Sequence, residues 1–264
     1  MNFSARRALR SFRYTISTEI GDDNGRTEST LHGRECKAER AHSRCSRQTS
    51  HRIVEAMEAQ APLLQGKLVR LEPLEYRHIN GLVSASAADS SLYRWSPVPH
   101  GKAAVSAYVE TALSWQGSGS AVPLAIVRVE DAAVVGSTRF WNLEQWAWPQ
   151  GHPAHGRTAP DACEIGYTWL APAAIRTGVN TEAKLLMLTH AFETWQVLRV
   201  CFHTDARNQR SRAALERIGA QFEGILRAHR MAADYIARDS ARFSIVAAEW
   251  PEVKRRLLAF ANRR

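Results

Sequence analysis

The chain has 264 residues, enough for one large domain or two small ones, with an ordinary hydrophobic share of 45% and a formal charge of +9. No run approaches the roughly 18 apolar residues of a membrane span, and four scattered cysteines cannot staple a disulfide scaffold, so no membrane partner and a reducing cytosol are expected. The charge points to an anionic partner, either nucleic acid, an anionic membrane or a phosphorylated small molecule, although the basic residues are scattered as on an ordinary basic surface.

Residues 1–62 differ from the rest. The stretch GDDNGRTESTLHGRECKAERAHSRCSRQTS has no sustained period of 2 or 3.6, so it cannot bury enough apolar surface to offset chain entropy. It is expected to be a disordered polar extension. The opening MNFSARRALRSFRYTIS is rich in Arg and Ser and lacks acids, as organelle transit peptides do. A polar tail, or a start codon properly at Met57, explains the same letters. His32, Cys36, His42 and Cys45 fit no compact zinc finger, and no metal is expected.

From Leu63 onward the pattern is that of a folded domain. KLVRLEPL reads as a first strand, followed by helices over 75–88 and 102–115. AVPLAIVRV and AVVGSTRFWNL form a hairpin around Glu130-Asp131, and CEIGYTWL is a further strand beyond a long loop from Glu144 to Asp161. A helix follows the polar loop RTGVNT, its apolar stripe set by Leu185, Leu188 and Phe192 with Ala183, Leu186 and Ala191. LRVCFHTDA is a strand and NQRSRAALERIG a helix closed by Gly219. AQFEGILRAHRM and ARDSARFSIVAAEW are the last strands, and a basic helix from Pro251 ends the chain. The order predicts an α+β domain over 63–264 with a mixed, mostly antiparallel sheet.

RTGVNT is over-supplied for a helix start. The helix N-terminus offers unpaired N–H groups and a partial positive charge. Gly178 lets backbone approach a ligand, Arg176 adds a cation, and Thr177, Asn180 and Thr181 add donors. The set reads as a phosphate cradle, or as a bare helix-capping loop; it is neither a P-loop nor G-x-G-x-x-G.

The blocks EIGYTWL (164–170), RTGVNTEAKLL (176–186), HTDARNQRSRAALERIGA (203–220), FEGILR (222–227) and RDSARFSI (238–245), in that order, resemble the GNAT superfamily of acyl-CoA N-acyltransferases. Within it they are similar to the RimJ/RimL type that acetylates ribosomal-protein N-termini. The resemblance implies a GNAT fold in which a splayed strand pair binds acetyl-CoA as cosubstrate. The pantetheine would lie along Thr168, Trp169 and Leu170, and the pyrophosphate on Arg176, Thr177, Gly178, Val179, Asn180 and Thr181. The family pattern Q/R-x-x-G-x-G/A is met only at Gly178, with Ile175 and Asn180 at its ends. Asn208 can cap its helix, hold the pantetheine, or both. Ser211 is either a first-turn residue or the acid that protonates the leaving thiolate, since Leu215 stands where many relatives have Tyr.

Glu164 is the leading base; a cross-strand ion pair is its other reading. Alternation places Cys163, Ile165, Tyr167 and Trp169 on one face against Glu164, Gly166 and Thr168 on the other. Asp239 is a second carboxylate candidate, unless Arg238 or Arg242 holds it. Trp146, Trp148, His152 and His155 suggest that the long loop is a lid or partner surface. His203 reads as structural, and Tyr235 has no assigned role.

The expected activity is acetyl transfer to a primary amine in a ternary complex, the acceptor being a protein N-terminus or a small amine such as an amino acid or antibiotic. A homodimer is among the assemblies the resemblance admits. A catalytically idle CoA-binding regulator is a different class. Nucleic-acid binding through the basic VKRRLLAFANRR end lacks a stacking platform or helix-turn-helix pattern.

Overall fold

The computed structural model describes residues 62–87, 90–232 and 236–261. The N-terminal extension, with His32, Cys36, His42 and Cys45, and Tyr235 lie outside them. The β-branched and aromatic runs form eight strands: β1 (Leu64–Gln65), β2 (Val69–Pro73), β3 (Ala121–Arg128), β4 (Val134–Glu144), β5 (Ala162–Leu170), β6 (Arg199–Asp205), β7 (Gln221–Met231) and β8 (Ala237–Val246). Five helices accompany them: α1 (Ile79–Ser86), α2 (Gly101–Gly117), α3 (Val179–Thr189), α4 (Gln209–Ile218) and α5 (Trp250–Ala261). The expected elements are present, β1 being an addition too short to show a period. Among the described residues no helix is long and apolar enough to cross a membrane.

The strands form one sheet in the order β1-β2-β3-β4-β5-β6-β8-β7, antiparallel everywhere except between β5 and β6. That parallel pair joins only Ala162, Cys163 and Glu164 to Arg199, Val200 and Cys201, after which the strands part. Helices α3, α4 and α5 cover one face through Ala183, Met187, Leu188, Ile218, Trp250 and Leu257, packed on Phe140, Ile165, Phe202 and Phe243. Helices α1 and α2 cover the other face, where Leu82, Val105 and Val109 meet Ala125, Val127 and Trp169.

Two local irregularities position the gap between β5 and β6. The β4–β5 register shifts between Ser137↔Trp169 and Arg139↔Gly166, so β5 carries an extra residue there, with Tyr167 at φ 52°. Such a bulge reverses the in/out alternation beyond it. This corrects the expected faces: Cys163 and Ile165 pack under α3, but Trp169 lies in the α1/α2 core. Thr168 points the other way, its Oγ1 lying 2.7 Å from Lys184 Nζ of α3. Just past the bulge, where Gly136 pairs with Leu170, a Cβ on Gly136 would lie 2.1 Å from the Trp169 carbonyl oxygen, so this close approach of β4 to β5 requires glycine.

The α3 stripe also differs from expectation. Val179, Glu182, Ala183, Lys184, Met187 and Leu188 are buried, whereas Leu185 and Leu186 are only partly so. A π-turn over His190–Thr194 then re-phases the helix so that Phe192 and Trp195 still reach the core. Glu182 takes the place an apolar residue would fill because it has a backbone to bind. Its Oε1 accepts the Lys67 N–H at 2.9 Å, and Oε2 accepts those of Leu68 and Val69 at 2.7 and 2.8 Å. The start of the sheet is thereby tied to α3. Glu182→Ala leaves these donors without their acceptor and is expected to cost about 3 kcal/mol; urea unfolding will show it as a lower midpoint with unchanged slope.

Gly219 ends α4 in the left-handed conformation, φ 96°, as the sequence predicts for a C-cap.

Candidate active site

The sheet offers an opening where β5 and β6 part. Glu164 stands at the last paired position, opposite Trp141 on β4 and Cys201 on β6, and is 1% exposed. Its Oε2 lies 2.9 Å from His203 Nδ1 and 3.1 Å from Arg230 Nη2. The imidazole nitrogen is within contact distance of the carboxylate but off the line of a well-directed hydrogen bond. Burial pushes the Glu164 carboxyl up, but the His203 contact and the Arg230 charge outweigh it and hold the group below its ordinary value. Glu164 is thus the member of an ion pair, though with β7 rather than with a directly paired strand. His203, read from sequence as structural, belongs to this cluster, with His229 ring to ring at 4.9 Å.

Beside Glu164, on the α1/α2 face, lies an aromatic box that the sequence did not suggest. Tyr167 meets Trp141 and Trp115 edge-on, at centroid separations of 5.3 and 5.4 Å. The Arg139 guanidinium sits among Tyr167, Tyr108 and Trp115. Arg230 in turn lies over Trp141. The sequence signal was Arg139, a cation between Thr138 and Phe140 in a β-rich run, and it could not be tied to residues on α2 and β5.

The residues assigned to the pantetheine line β5 beyond the bulge. Trp169 turns its carbonyl toward Gly136 of β4, so alternation leaves the Thr168 and Leu170 backbone toward the gap. The Leu170 carbonyl accepts the Tyr93 hydroxyl at 2.9 Å, and Arg210 on α4 donates to the Leu92 carbonyl at 2.9 Å. Residues 92–93 therefore strap β5 to α4 across the opening. Lys184, also buried, is desolvated so fully that its ammonium is pushed down to about 7. Its hydrogen bond goes to Thr168, whose hydroxyl also meets Thr138 at 2.8 Å.

The RTGVNT loop leads into α3. Thr177 Oγ1 donates to the Ala174 carbonyl at 2.7 Å and accepts the Val179 N–H at 3.3 Å, so Thr177 performs the capping. Gly178 has ordinary right-handed angles, and Arg176 instead takes the left-handed conformation at φ 62°. Asn180 and Thr181 fall in the first turn, where N–H groups lack intrahelical acceptors. Arg217 of α4 reaches Thr181 Oγ1 at 3.4 Å, so both exposed Arg176 and Arg217 stand by this helix start. Asn208 is the N-cap of α4, its Oδ1 accepting the Ser211 N–H at 3.1 Å. Ser211 is half-buried in that first turn, and Leu215 is buried core. Asp239, the other carboxylate candidate, is exposed on β8 and its Oδ1 accepts the Ala228 N–H at the β7 bulge.

The long loop is ordered around one buried carboxylate. Asp161, 1% exposed, accepts the Trp146 N–H at 2.7 Å and the Trp148 Nε1–H at 2.9 Å, and pairs with Arg157 at 3.3 Å. His152 stacks on Trp148 at 4.2 Å, and His155 contacts the Trp148 carbonyl. Asp161→Ala is expected to release the loop: limited proteolysis within 145–160 should accelerate on the order of tenfold while the rest of the domain resists.

The fold has counterparts in known proteins. Residues 69–221 match the model of the acetyltransferase (GNAT) domain. No curated protein sequence matches the chain. Among solved structures, an acetyltransferase candidate of T. thermophilus is 34% identical, with 75% of this chain and 95% of that chain covered at a TM-score of 0.61. A GCN5-related N-acetyltransferase from Brucella melitensis is 27% identical, with 76% and 85% covered at 0.63. Mycobacterium smegmatis RimJ is 25% identical, with 73% and 89% covered at 0.60. With the domain match spanning most of the described sheet and the strand gap in place, the chain belongs to the GNAT acetyltransferase family.

Proposed function

We propose that this protein transfers the acetyl group of acetyl-CoA to an α-amino group, by direct attack in a ternary complex, in a reducing cytosol. The observation that carries the reading is Glu164, a buried carboxylate kept ionised by Arg230 and His203 where the two strands part. A carboxylate held below its ordinary pKa is a weak base. It suits an α-amine of pKa about 7.8, which loses its proton at pH 7 for about 1 kcal/mol, and not a lysine, which costs about 4.6 kcal/mol.

The residues present fit acetyl-CoA. Outward-facing backbone at Thr168 and Leu170 suits the amide-bearing pantetheine, and the α3 start with Arg176 and Arg217 suits the pyrophosphate. Bound acetyl-CoA supplies the thioester; the amine displaces coenzyme A as its thiol. On the protein's side, Glu164 stabilises the positive charge that grows on the attacking nitrogen and receives its proton through water. Ser211, with its N–H fixed by Asn208, is the group assigned to protonate the thiolate. Similarity to RimJ, whose solved structure is a complex with CoA-disulfide, supports the cosubstrate, and a peptide N-terminus as acceptor rests on the RimJ/RimL resemblance of the sequence blocks. The free, buried Cys163 and Cys201 suit a reducing compartment.

The test is thiol release from acetyl-CoA across N-terminal peptides, free amino acids, lysine side-chain peptides and aminoglycosides. Turnover confined to α-amines is expected. Absence of release with every amine, while CoA still raises the melting temperature, selects the idle CoA-binding module instead.

A further inference from the structure

Arg139 is 1% exposed, yet it lies in the middle of the sheet, on β4 opposite Gly166. Its Cζ is 4.2 Å from the Tyr167 ring centroid, 4.9 Å from Tyr108 and 5.1 Å from Trp115. These rings offset part of its charge through their faces. They do nothing for the guanidinium's in-plane donors, and Nε and Nη2 have no hydrogen-bond partner among the described residues. Each such buried donor has lost its water without gaining an acceptor, which is unfavourable. Glu164, the carboxylate of this chamber, is held by Arg230 and His203.

A second donor faces the same space. Trp141 Nε1 is buried without an acceptor, and it lies 3.0 Å from where a Gly166 Cβ would stand. Glu164 Oε1 lies 3.4 Å from the same point. The unmet Trp141 donor and the Glu164 carboxylate therefore meet at Gly166, the residue paired with Arg139 across the two strands. The pyrophosphate cradle is at the start of α3, so the cosubstrate's phosphates do not answer this demand. The Nε and Nη2 donors of Arg139 form one edge of a rigid fork, which a carboxylate matches in bidentate fashion.

We propose that Arg139 determines acceptor specificity: it receives a carboxylate borne by the acceptor amine, through Nε and Nη2, and so presents the amine beside Glu164. The identity of this ligand as the acceptor rests on the acetyl-transfer reading; the presence of a carboxylate site does not. The carboxylate belongs either to a free amino acid or to an acidic residue next to a peptide N-terminus.

Calorimetric titration of product analogues into the CoA-loaded protein tests this without turnover. One arm compares N-acetyl-methionine and N-acetyl-phenylalanine with their carboxamides. The other compares acetyl-Met-Asp-Ala-amide with acetyl-Met-Asn-Ala-amide. In one arm the acid should bind about tenfold or more tighter than its neutral partner. Arg139→Gln should erase that preference while CoA affinity stays within about twofold. Arg139→Lys, which keeps the cation but loses the fork, should retain only a small part of it and serves if the glutamine variant does not fold. Wild-type indifference in both arms overturns the proposal. So does a preference that survives at Arg139→Gln, or one abolished by Arg230→Gln but not by changes at Arg139. Absence of thiol release with all amines would refute acetyl transfer and leave these binding results standing.

Discussion

Glutamine at position 164 is expected to lower kcat/KM on the order of 10²- to 10³-fold without moving the midpoint of the pH–rate profile. The reason is the charge state of the carboxylate. Arg230 and His203 keep Glu164 ionised below the ordinary carboxylate range, so it does not titrate between pH 6 and 9. The rise in rate over that interval belongs to the acceptor, with a midpoint near the α-amine value of about 7.8. The variant keeps the shape of Glu164 but not its charge, and should lower the plateau at every pH. A limb that disappears with the carboxylate would mean that Glu164 itself titrates there, contrary to this assignment. The same group leaves a mark on stability. Its folded-state pKa lies below the unfolded value, so its contribution is present above about pH 4.5 and is lost as pH falls through the folded value. Unfolding free energies measured from pH 3 to 7 should rise more steeply with pH in the wild type than in Glu164→Gln.

Methionine at position 184 should stabilise the protein at neutral pH. Lys184 is 4% exposed and has Thr168 Oγ1 as its hydrogen-bond partner at 2.7 Å. Burial depresses the amine from 10.5 to about 7. The folded state therefore resists a proton that the unfolded chain binds readily. Below pH 7 both states are protonated and the whole cost of burying the cation is present. Between about 7 and 10.5 the unfolded chain holds the proton and the folded protein does not, so stability increases with pH across that window. The full shift corresponds to roughly 5 kcal/mol, and about 4 kcal/mol of it weighs on the protein at pH 7. Methionine removes that cost, less the lost hydrogen bond of about 1 kcal/mol. Melting temperature at pH 7 should thus rise by several degrees, and the alkaline increase should flatten. A variant less stable than wild type at pH 7 would show that the ammonium is better solvated than its burial indicates.

The local framework of the candidate site was legible because its parts lie close together in the chain. Asn208 followed by a helix pattern, Gly219 after it, and the polar run before α3 are signals carried within a few residues. Thr177 and Arg176 show the limit of that reading. The capping work fell to the threonine and the left-handed backbone to the arginine, while Gly178 took ordinary helical angles. Loop conformation depends on how α3 docks against β5, which no short window contains.

The sequence by itself determined the order of strands and helices and the family blocks, because period, caps and turn residues act over short distances. Tertiary structure alone decided which side chains meet. One extra residue in β5 turned Trp169 into the α1/α2 core and Thr168 toward α3, against simple alternation. Pairing of β4 with β5 and docking of α2 brought Arg139 among Tyr108, Trp115 and Tyr167. Return of β7 along β8 brought Arg230 to Glu164. Such contacts join residues far apart in the chain, and a register shift of one position, invisible in composition, sets which face each one occupies.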